Sequence, residues 1–371
     1  MKFTAQIKPL QDALAKVISV IPTKSTLPQL ETVLVNLTGD NLTLTGTDLE
    51  ITTTVTLYVT GKTDGTANIP AKLFNDIIRA LPEGDLNFTL DKAAHRAQLQ
   101  TATGTYQLSV DETAALPNQA ENFKPEGSIT LDAATLKRLI SKTLFAVSAD
   151  ELRPSMMGVL FQFSPDGTRG VSTDGHRLVR IFHPLLKTDT ELDVIIPAKA
   201  LALVSKSFSD SDPITLSFSQ THVEFRTEGA VILSRLIDER YPNYEAVIPR
   251  ENDKMMLISK DAMQRSVKRV SIFANSNTRQ LKLELAKDQL SVVAQNFDAG
   301  NEAREFIPCD YSNDDLAIGF NARFIEDALG HLDGDDVSLK FSTPTRAVIV
   351  EPVKQKDEEL MMLVMPVRLN S

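Results

Sequence analysis

Three sets of matching segments recur along the 371-residue chain at about one third of its length. One set has an alanine followed by a basic residue, the second an Asp or Asn after an alternating segment, and the third a proline directly after a large apolar or aromatic residue. Neighbouring members lie between 122 and 127 residues apart, and the order is the same each time. The chain is therefore predicted to contain three copies of one unit. The members are Ala71, Ala198 and Ala322; Asp48, Asp174 and Asn296; and Pro117, Pro242 and Pro366.

Each copy is predicted to be an α+β domain with two helices and antiparallel sheets. Apolar residues three and four apart indicate helices over 7–20, 131–147 and 259–274, and shorter ones over 71–81, 198–207 and 321–332. Asp132 and Ser259 are predicted N-caps. Alternating segments at 42–45, 98–100 and 349–351 indicate half-buried strands. The predicted linkers are 112–127 and 238–254, and the predicted domains are 1–122, 127–248 and 249–371.

The single cysteine, Cys309, cannot form an internal disulfide, which favours a reducing compartment. No apolar run reaches about 18 residues, the length that a membrane-spanning helix needs. The residues after Met1 turn polar before the apolar core of a signal peptide could form. A cytoplasmic protein without a membrane partner is therefore expected.

The charge distribution qualifies the acidic total. The chain has 39 Lys+Arg and 49 Asp+Glu, a net charge of −10, which taken alone disfavours a polyanionic partner. The six predicted helices, however, contain 14 basic and six acidic residues, so they carry +8 and the remainder −18. A basic helical surface that contacts phosphates without reading bases is expected, although exposed lysines alone would also produce this pattern.

No motif for catalysis, a cofactor or a metal is complete. Gly61-Lys62-Thr63 resembles the end of a phosphate-binding loop, but Thr56 stands where its first glycine is required. Zinc-hydrolase and serine-esterase motifs are missing from the sequence. The segment Asp174-Gly175-His176 has two interpretations. It is a simple turn at the end of a strand, or it provides the acid/base pair of a hydrolase, which remains an alternative.

Several segments, from one end of the chain to the other, resemble the bacterial sliding clamp family, the beta subunits of DNA polymerase III. They are Met1-Lys2-Phe3-Thr4, Thr26-Leu27-Pro28, the segment 44–50, Thr173-Asp174-Gly175-His176-Arg177-Leu178, Tyr241-Pro242 and Val364-Met365-Pro366-Val367-Arg368-Leu369. The resemblance implies a DNA-clamp fold in which two chains join head to tail as a closed ring around duplex DNA. It further implies a non-catalytic processivity factor. The implied partners are the catalytic subunit of the replicative polymerase, an ATP-driven clamp loader, and other replication and repair proteins that carry a clamp-binding motif.

The family's peptide groove can be transferred onto matching positions. It would comprise Met156, Thr173, Gly175, His176, Arg177, Leu178, Pro242, Val247, Val364, Met365, Pro366, Val367, Arg368 and Leu369. This sequence departs from the family pattern at Ala246, where relatives often carry arginine, and at Pro154-Ser155, where they often carry tyrosines. It also continues past Arg368-Leu369 with Asn370-Ser371. A groove of altered shape and peptide preference is expected.

The resemblance also implies DNA contacts and a subunit interface. Lys24, Arg153 and Lys199 match positions near DNA, and the helix cations Arg79, Lys137 and Lys142 complete the expected DNA-binding set. Tyr106, Leu108, Ile272 and Phe273 match the apolar part of the interface. Across it, Lys72, Arg79 and Arg96 would face Asp298, Glu302 and Glu305.

Elementary geometry requires two chains for such a ring. Helices pack 8 to 10 Å apart, so a closed lining of six leaves roughly 9 Å of clear diameter once about 10 Å is subtracted for side chains and helix radii. The major groove of DNA alone is about 12 Å wide, whereas twelve helices leave roughly 28 Å. A scaffold of the same fold that does not encircle DNA remains a second alternative.

Overall fold

A computed structural model describes residues 1–110, 116, 123–189, 191–296, 299–355 and 357–369. Within these residues the same order of strands and helices occurs three times, with two α-helices in each copy. We refer to the copies as the N-terminal, central and C-terminal repeats. The α+β prediction, with three repeated units of two helices and antiparallel sheets, is confirmed.

The N-terminal repeat has one more strand than the other two. Its elements are β1 (Lys2–Gln6), α1 (Ile7–Ile18), β2 (Thr32–Thr38), β3 (Asn41–Thr47), β4 (Ile51–Tyr58), β5 (Thr60–Thr63), β6 (Gly65–Pro70), α2 (Ala71–Ala80), β7 (Asp85–Asp91), β8 (Arg96–Gln100) and β9 (Thr105–Ser109).

The central and C-terminal repeats follow the same plan. The central elements are β10 (Gly127–Asp132), α3 (Ala133–Thr143), β11 (Gly158–Ser164), β12 (Gly167–Thr173), β13 (Arg177–His183), β14 (Leu192–Pro197), α4 (Ala198–Ser207), β15 (Pro213–Phe218), β16 (His222–Arg226) and β17 (Ala230–Arg235). The C-terminal elements are β18 (Lys254–Ser259), α5 (Lys260–Val270), β19 (Gln280–Ala286), β20 (Gln289–Asn296), β21 (Asn301–Pro308), β22 (Leu316–Asn321), α6 (Ala322–His331), β23 (Asp336–Phe341), β24 (Val348–Pro352) and β25 (Glu359–Val364).

The helices bury the apolar stripes that predicted them. In α1, for example, Leu10, Leu14 and Val17 are buried while Lys8 and Asp12 stay exposed and form an ion pair. The Ser259 hydroxyl caps α5 by accepting from the Ala262 amide at 3.4 Å, as predicted. Asp132 is the last residue of β10, directly before α3. The predicted helices around α3 and α5 are longer than observed because their last turns tighten into 3₁₀ geometry.

Two eight-stranded antiparallel sheets each combine four strands of one repeat with four of the next. The first has the order β10-β15-β16-β17-β4-β3-β2-β6 and the second β14-β11-β12-β13-β25-β24-β23-β18. The joining strands are β17 with β4, where Ile232 lies opposite Thr53, and β13 with β25, where Arg177 lies opposite Val364. Main-chain hydrogen bonds therefore continue from one repeat into the next.

Because of this sharing, the compact units of the fold cut across the repeats. One unit consists of residues 1–137 and 199–236 and contains the first eight-stranded sheet. The other consists of residues 138–198 and 237–371 and contains the second. The central repeat thus contributes half of its strands to each unit.

Two smaller sheets end at strands with a free side. The N-terminal repeat has the sheet β5-β1-β7-β8-β9, and the C-terminal repeat has β21-β20-β19-β22. In the part of the chain that the structure describes, β9 pairs only with β8 and β21 only with β20. An open strand edge is a ready site for pairing with another chain.

The predicted linker at 238–254 is ordered, with a 3₁₀ turn over Tyr244–Val247 that buries Tyr244. Most of the other predicted linker, 112–127, lies outside the described residues. No helix among the described residues is both long and apolar enough to cross a bilayer.

Candidate functional site

A cavity of about 850 Å³ lies in the unit formed by residues 138–198 and 237–371. Its floor is the apolar cluster that joins strands of the second eight-stranded sheet, including Leu178 of β13 and Leu363 of β25. Eight residues of the predicted groove line it: Met156, Thr173, Gly175, Arg177, Leu178, Pro242, Val247 and Met365. Residues from distant parts of the sequence thus meet because β13 pairs with β25.

The turn between β12 and β13 forms one side of the cavity. The Asp174 carboxylate accepts from the amides of His176 at 2.9 Å and Arg177 at 3.0 Å, and the Thr173 hydroxyl donates to the Arg177 carbonyl at 2.7 Å. Gly175 adopts φ +88°, a left-handed conformation that favours glycine. The sequence Thr-Asp-Gly-His-Arg therefore encodes a fixed turn.

Two further segments line the cavity, and in them the sequence had singled out only Ala246, as a departure from the family pattern. They are Asn243–Ala246 with Ile248–Glu251, and the β23–β24 connection at Thr345–Ala347. Pro242 and Val247, beside these residues, were predicted groove residues, and the recurrence of a proline at Pro117, Pro242 and Pro366 was the sequence signal for this region. Ala246 lines the cavity as a small side chain, so no guanidinium occupies that position.

The last described residues leave the cavity rather than line it. Met365 lines the cavity, and its amide donates to the His176 carbonyl at 2.8 Å. Beyond it, the Val367 amide donates to the Gly319 carbonyl of β22 at 2.9 Å. The segment Pro366–Leu369 thus lies beside β22, outside the cavity lining. Val364 is buried within β25. Asn370 and Ser371 lie outside the described residues.

The Asp174 and His176 side chains contact different neighbours. The second carboxylate oxygen of Asp174 accepts from Arg177 Nε at 3.0 Å, while the exposed His176 ring stacks on Phe324 with centroids 5.9 Å apart. This arrangement favours the turn over the acid/base pair of the hydrolase alternative.

Ion pairs engage most of the expected DNA-binding cations. Lys137 pairs with Asp210, Lys199 with Asp48, and Arg153 with Asp150, where the hydrogen bond from Arg153 lowers the Asp150 pKa. Lys142 departs from the expectation because it is buried, with its ammonium on the His331 carbonyl at 2.6 Å and on Asp333 at 2.9 Å. A buried ammonium that already donates two hydrogen bonds is not available to a phosphate. We therefore exclude Lys142 from the DNA-binding set.

Other cations are exposed. Lys24 and Arg79 are exposed and have no ion pair among the described residues, and the same holds for Lys72, Lys206 and Lys268. Within their observed bounds, the six helices contain 14 basic and five acidic residues. The helices therefore carry an excess of positive charge, as predicted.

The expected interface residues lie on or near the two free strand edges. Tyr106 is on β9, Glu302 and Glu305 are on β21, and Ile272 and Phe273 follow α5 with 77% and 41% exposure. Phe306, also on β21, is 59% exposed. Arg96 is exposed on β8.

Two interface expectations change. Leu108 is only 2% exposed, because it packs within its own repeat, so its side chain does not offer an outer contact. Glu305 is bound by both Arg269 Nε at 2.7 Å and Arg269 Nη2 at 2.6 Å, which lowers the Glu305 pKa. Asp298 lies outside the described residues.

Comparison with known proteins gives the same assignment for each repeat. The N-terminal, central and C-terminal domain models of the DNA polymerase III beta subunit match residues 1–120, 130–243 and 245–368. The chain is 31% identical to the beta sliding clamp of Pseudomonas putida KT2440 and 29% identical to that of Escherichia coli K12, and each match covers both proteins completely.

Solved structures show the same fold. A DNA polymerase sliding clamp from Pseudomonas aeruginosa, crystallised with a ligand, matches the whole chain at a TM-score of 0.93 and 27% identity, over its own full length. A sliding clamp of the same organism bound to griselimycin matches at a TM-score of 0.92 and 26% identity, again over the full length of both chains. The resemblance inferred from sequence is confirmed: the chain belongs to the family of DNA polymerase III beta subunits, the beta sliding clamps.

Proposed function

We propose that this chain is a DNA sliding clamp, in which two copies close a head-to-tail ring around duplex DNA and capture peptide segments of replication proteins. The observation that carries the proposal is the pair of free edges on β9 and β21. In the repeated order of elements, β9 and β21 each have the same position as strands that join two repeats elsewhere in the chain.

The correspondence follows from the repeated order of elements. Strand β4 occupies the place in the N-terminal repeat that β13 has in the central repeat and β21 in the C-terminal repeat. Strands β9, β17 and β25 correspond in the same way. Strand β4 pairs with β17, and β13 with β25, which leaves β21 and β9 as the third combination.

A second copy supplies the missing strand for each free edge. The pairing is heterologous, because β21 of one copy would meet β9 of the other, and such contacts form a ring when their rotation closes. Two copies bring twelve helices, the number that leaves roughly 28 Å for a duplex at a helix spacing of 8 to 10 Å. These considerations favour the ring over a scaffold that does not encircle DNA.

The helices, with Lys24 and Arg153 on neighbouring connections, would supply weak phosphate contacts inside the ring. Lys24 and Arg79 offer exposed cations, while Lys137, Arg153 and Lys199 would exchange exposed ion pairs for phosphates at little cost. Contacts of this kind do not read sequence and weaken with salt. Retention would therefore depend on encirclement, and the ring would slide.

The 850 Å³ cavity would hold the partner peptides. Its floor and walls are apolar at Met156, Leu178, Val247 and Met365, and polar backbone borders it at the Gly175 turn. A short apolar peptide with a glutamine anchor suits such a lining. Griselimycin, the ligand of the P. aeruginosa and Bartonella birtlesii clamp structures, is a suitable probe for this site.

The expected partners are the replicative polymerase, which would gain processivity through this site, the clamp loader, and other proteins with the same peptide motif. The clamp itself would catalyse nothing, and Asp174 and His176 would shape the cavity. A cytoplasmic location is in keeping with the lone thiol of Cys309.

Retention on DNA tests the topological part of the proposal. The chain, loaded by a bacterial clamp loader and ATP onto nicked circular DNA, should remain bound through gel filtration in high salt. Linearisation of the same DNA with a restriction enzyme should release it, and blocking both ends with bound protein should restore retention. Equal loss from circular and linear DNA would refute encirclement.

A further inference from the structure

We propose that Arg177 positions the groove from inside the protein, and that Phe145 and Asp327 determine peptide affinity through it without touching the peptide. This inference rests on the proposed role of the cavity as a peptide site. It changes the function of Arg177 from a ligand contact to an internal support.

Arg177 contacts two phenylalanine rings, and each of these rings stacks on a histidine ring. Its guanidinium carbon lies 5.3 Å from the ring centroid of Phe145 and 5.0 Å from that of Phe324. Beyond Phe145 the ring of His331 stacks at 3.8 Å, and beyond Phe324 the ring of His176 stacks at 5.9 Å. A guanidinium near two aromatic faces is held by cation–π attraction, which strengthens when water is excluded.

The edges of the guanidinium are occupied as well. Nε donates to Asp174 at 3.0 Å, Nη1 donates to the Asp327 carboxylate, and Nη2 donates to the Phe145 carbonyl at 2.8 Å. Only 9% of the side chain is exposed. Three of the five N–H donors of this guanidinium are therefore committed to partners inside the protein, which supports the buried charge.

The same contacts fix the side of the cavity in place. The Arg177 amide is bonded to Asp174 and its carbonyl to Thr173, so the guanidinium and the turn backbone are tied to the same carboxylate. On its other side Arg177 reaches Asp327 in α6 and the 3₁₀ turn Leu144–Ala146 after α3. Arg177 therefore links the turn to α6 and to the 3₁₀ turn after α3.

Phe145 and Asp327 are absent from the lining of the 850 Å³ cavity, which makes them informative test sites. Phe145→Leu removes an aromatic face, and Asp327→Asn removes one of the two carboxylate charges paired with Arg177, the other being Asp174. Phe145→Tyr retains the face and serves as the conservative rescue. Arg323→Gln is the matched control, because Arg323 approaches the same Asp327 carboxylate at 3.8 Å from an exposed position.

Griselimycin binding to the full-length protein, measured by isothermal titration calorimetry, is the first measurement. We expect Phe145→Leu and Asp327→Asn to raise the Kd at least tenfold, and Phe145→Tyr and Arg323→Gln to stay within twofold of the unmodified chain. In parallel, the Nε–H resonance of Arg177 should be shifted by the two rings in the unmodified chain and in Phe145→Tyr. In Phe145→Leu it should move toward the position of an exposed arginine.

The outcomes separate this inference from the proposed function. If the unmodified chain binds griselimycin and all four variants bind equally well, the positioning role is refuted and the groove stands. If the Kd rises in Phe145→Leu without any change in the Arg177 resonance, the effect does not pass through Arg177 and the inference is also refuted. If the unmodified chain fails to bind, the groove proposal falls and this inference falls with it.

Discussion

The ammonium group of Lys199 is paired with the carboxylate of Asp48, which fastens helix α4 of the central repeat to the β3–β4 turn of the N-terminal repeat. Lys199 follows the alanine of the repeated Ala-basic signature, and Lys72 holds the same place on α2. At the junction that two copies would form, Lys72 would therefore approach the turn between β20 and β21 of the other copy.

Reversing the charge at Lys72 is the first prediction. An exposed ion pair contributes up to about 1 kcal/mol, and a ring contains two such junctions, so Lys72→Glu should weaken the dimer by about 2 kcal/mol, or roughly 30-fold. Sedimentation equilibrium would measure the dissociation constant. Lys206→Glu, on the exposed end of α4, is the control with the same charge change. Equal effects of the two variants would contradict a specific role for Lys72.

The register of the interface can also be predicted. Thr52 and Asn301 correspond, because each lies opposite the last residue of the preceding strand, Thr47 and Asn296, across a short hairpin connection. Leu233 and Gln107 correspond through the β16–β17 and β8–β9 hairpins. Because Thr52 lies opposite Leu233, Asn301 should lie opposite Gln107 of the other copy.

A disulfide test checks this register. Gln107→Cys with Asn301→Cys, in a Cys309→Ser background, should yield covalently closed dimers on oxidation, because opposite residues of an antiparallel pair are about 5.5 Å apart at Cα. Gln107→Cys with Glu302→Cys should cross-link much less, since neighbouring residues of a strand point to opposite faces. Non-reducing gel electrophoresis distinguishes the two pairs, and preferential cross-linking of the second would refute the register.

Lys142 and Lys137 should contribute differently to the free energy of unfolding, although they lie on one helix. Lys142→Ala removes the donor to the His331 carbonyl and one of the two cations bound to Asp333, which keeps Arg138, so it should lower the free energy of unfolding by about 1 to 3 kcal/mol. Lys137→Ala removes an ion pair with an exposed Asp210 and should change it by less than about 1 kcal/mol. Thermal unfolding would decide, and equal melting temperatures would contradict the structural role of Lys142.

Gly319 should be required where the C-terminal segment crosses β22. A Cβ atom there would lie 2.7 Å from the Val367 carbonyl and 2.8 Å from Leu369 Cδ2, so Gly319→Ala should displace the segment at a cost of about 1 to 3 kcal/mol. Faster removal of the last residues by carboxypeptidase would report the displacement. Gly127→Ala, where a Cβ meets nothing within 4 Å, should digest like the unmodified chain.

The Cys309 thiol should react slowly at neutral pH. Burial, followed by the charges of Asp288 and Asp310, raises its pKa to about 11. The thiolate is the reactive form, so the rate of reaction with a disulfide reagent should increase about tenfold per pH unit between pH 7 and 10. Stopped-flow absorbance would measure this rate at each pH. A rate that levels off near pH 9 would contradict the raised pKa.

Much of the fold was predictable because it depends on local pattern. The apolar spacing of Leu136, Leu139 and Ile140 locates α3, and the alternation around Leu44 locates β3. The turn at Thr173–Arg177 was predictable for the same reason, since an Asp-Gly pair favours such a turn through its own hydrogen bonds.

The sequence by itself determined three α+β repeats, basic helices and the family to which the chain belongs. Tertiary structure alone decided how the repeats share sheets, since β17 meets β4 and β13 meets β25 across more than a hundred residues. It also decided that Lys142 is buried and that Arg177 faces inward between Phe145 and Phe324. The physical reason is that periodicity records which face of an element is apolar, whereas the partner of a charge depends on which distant elements pack against it.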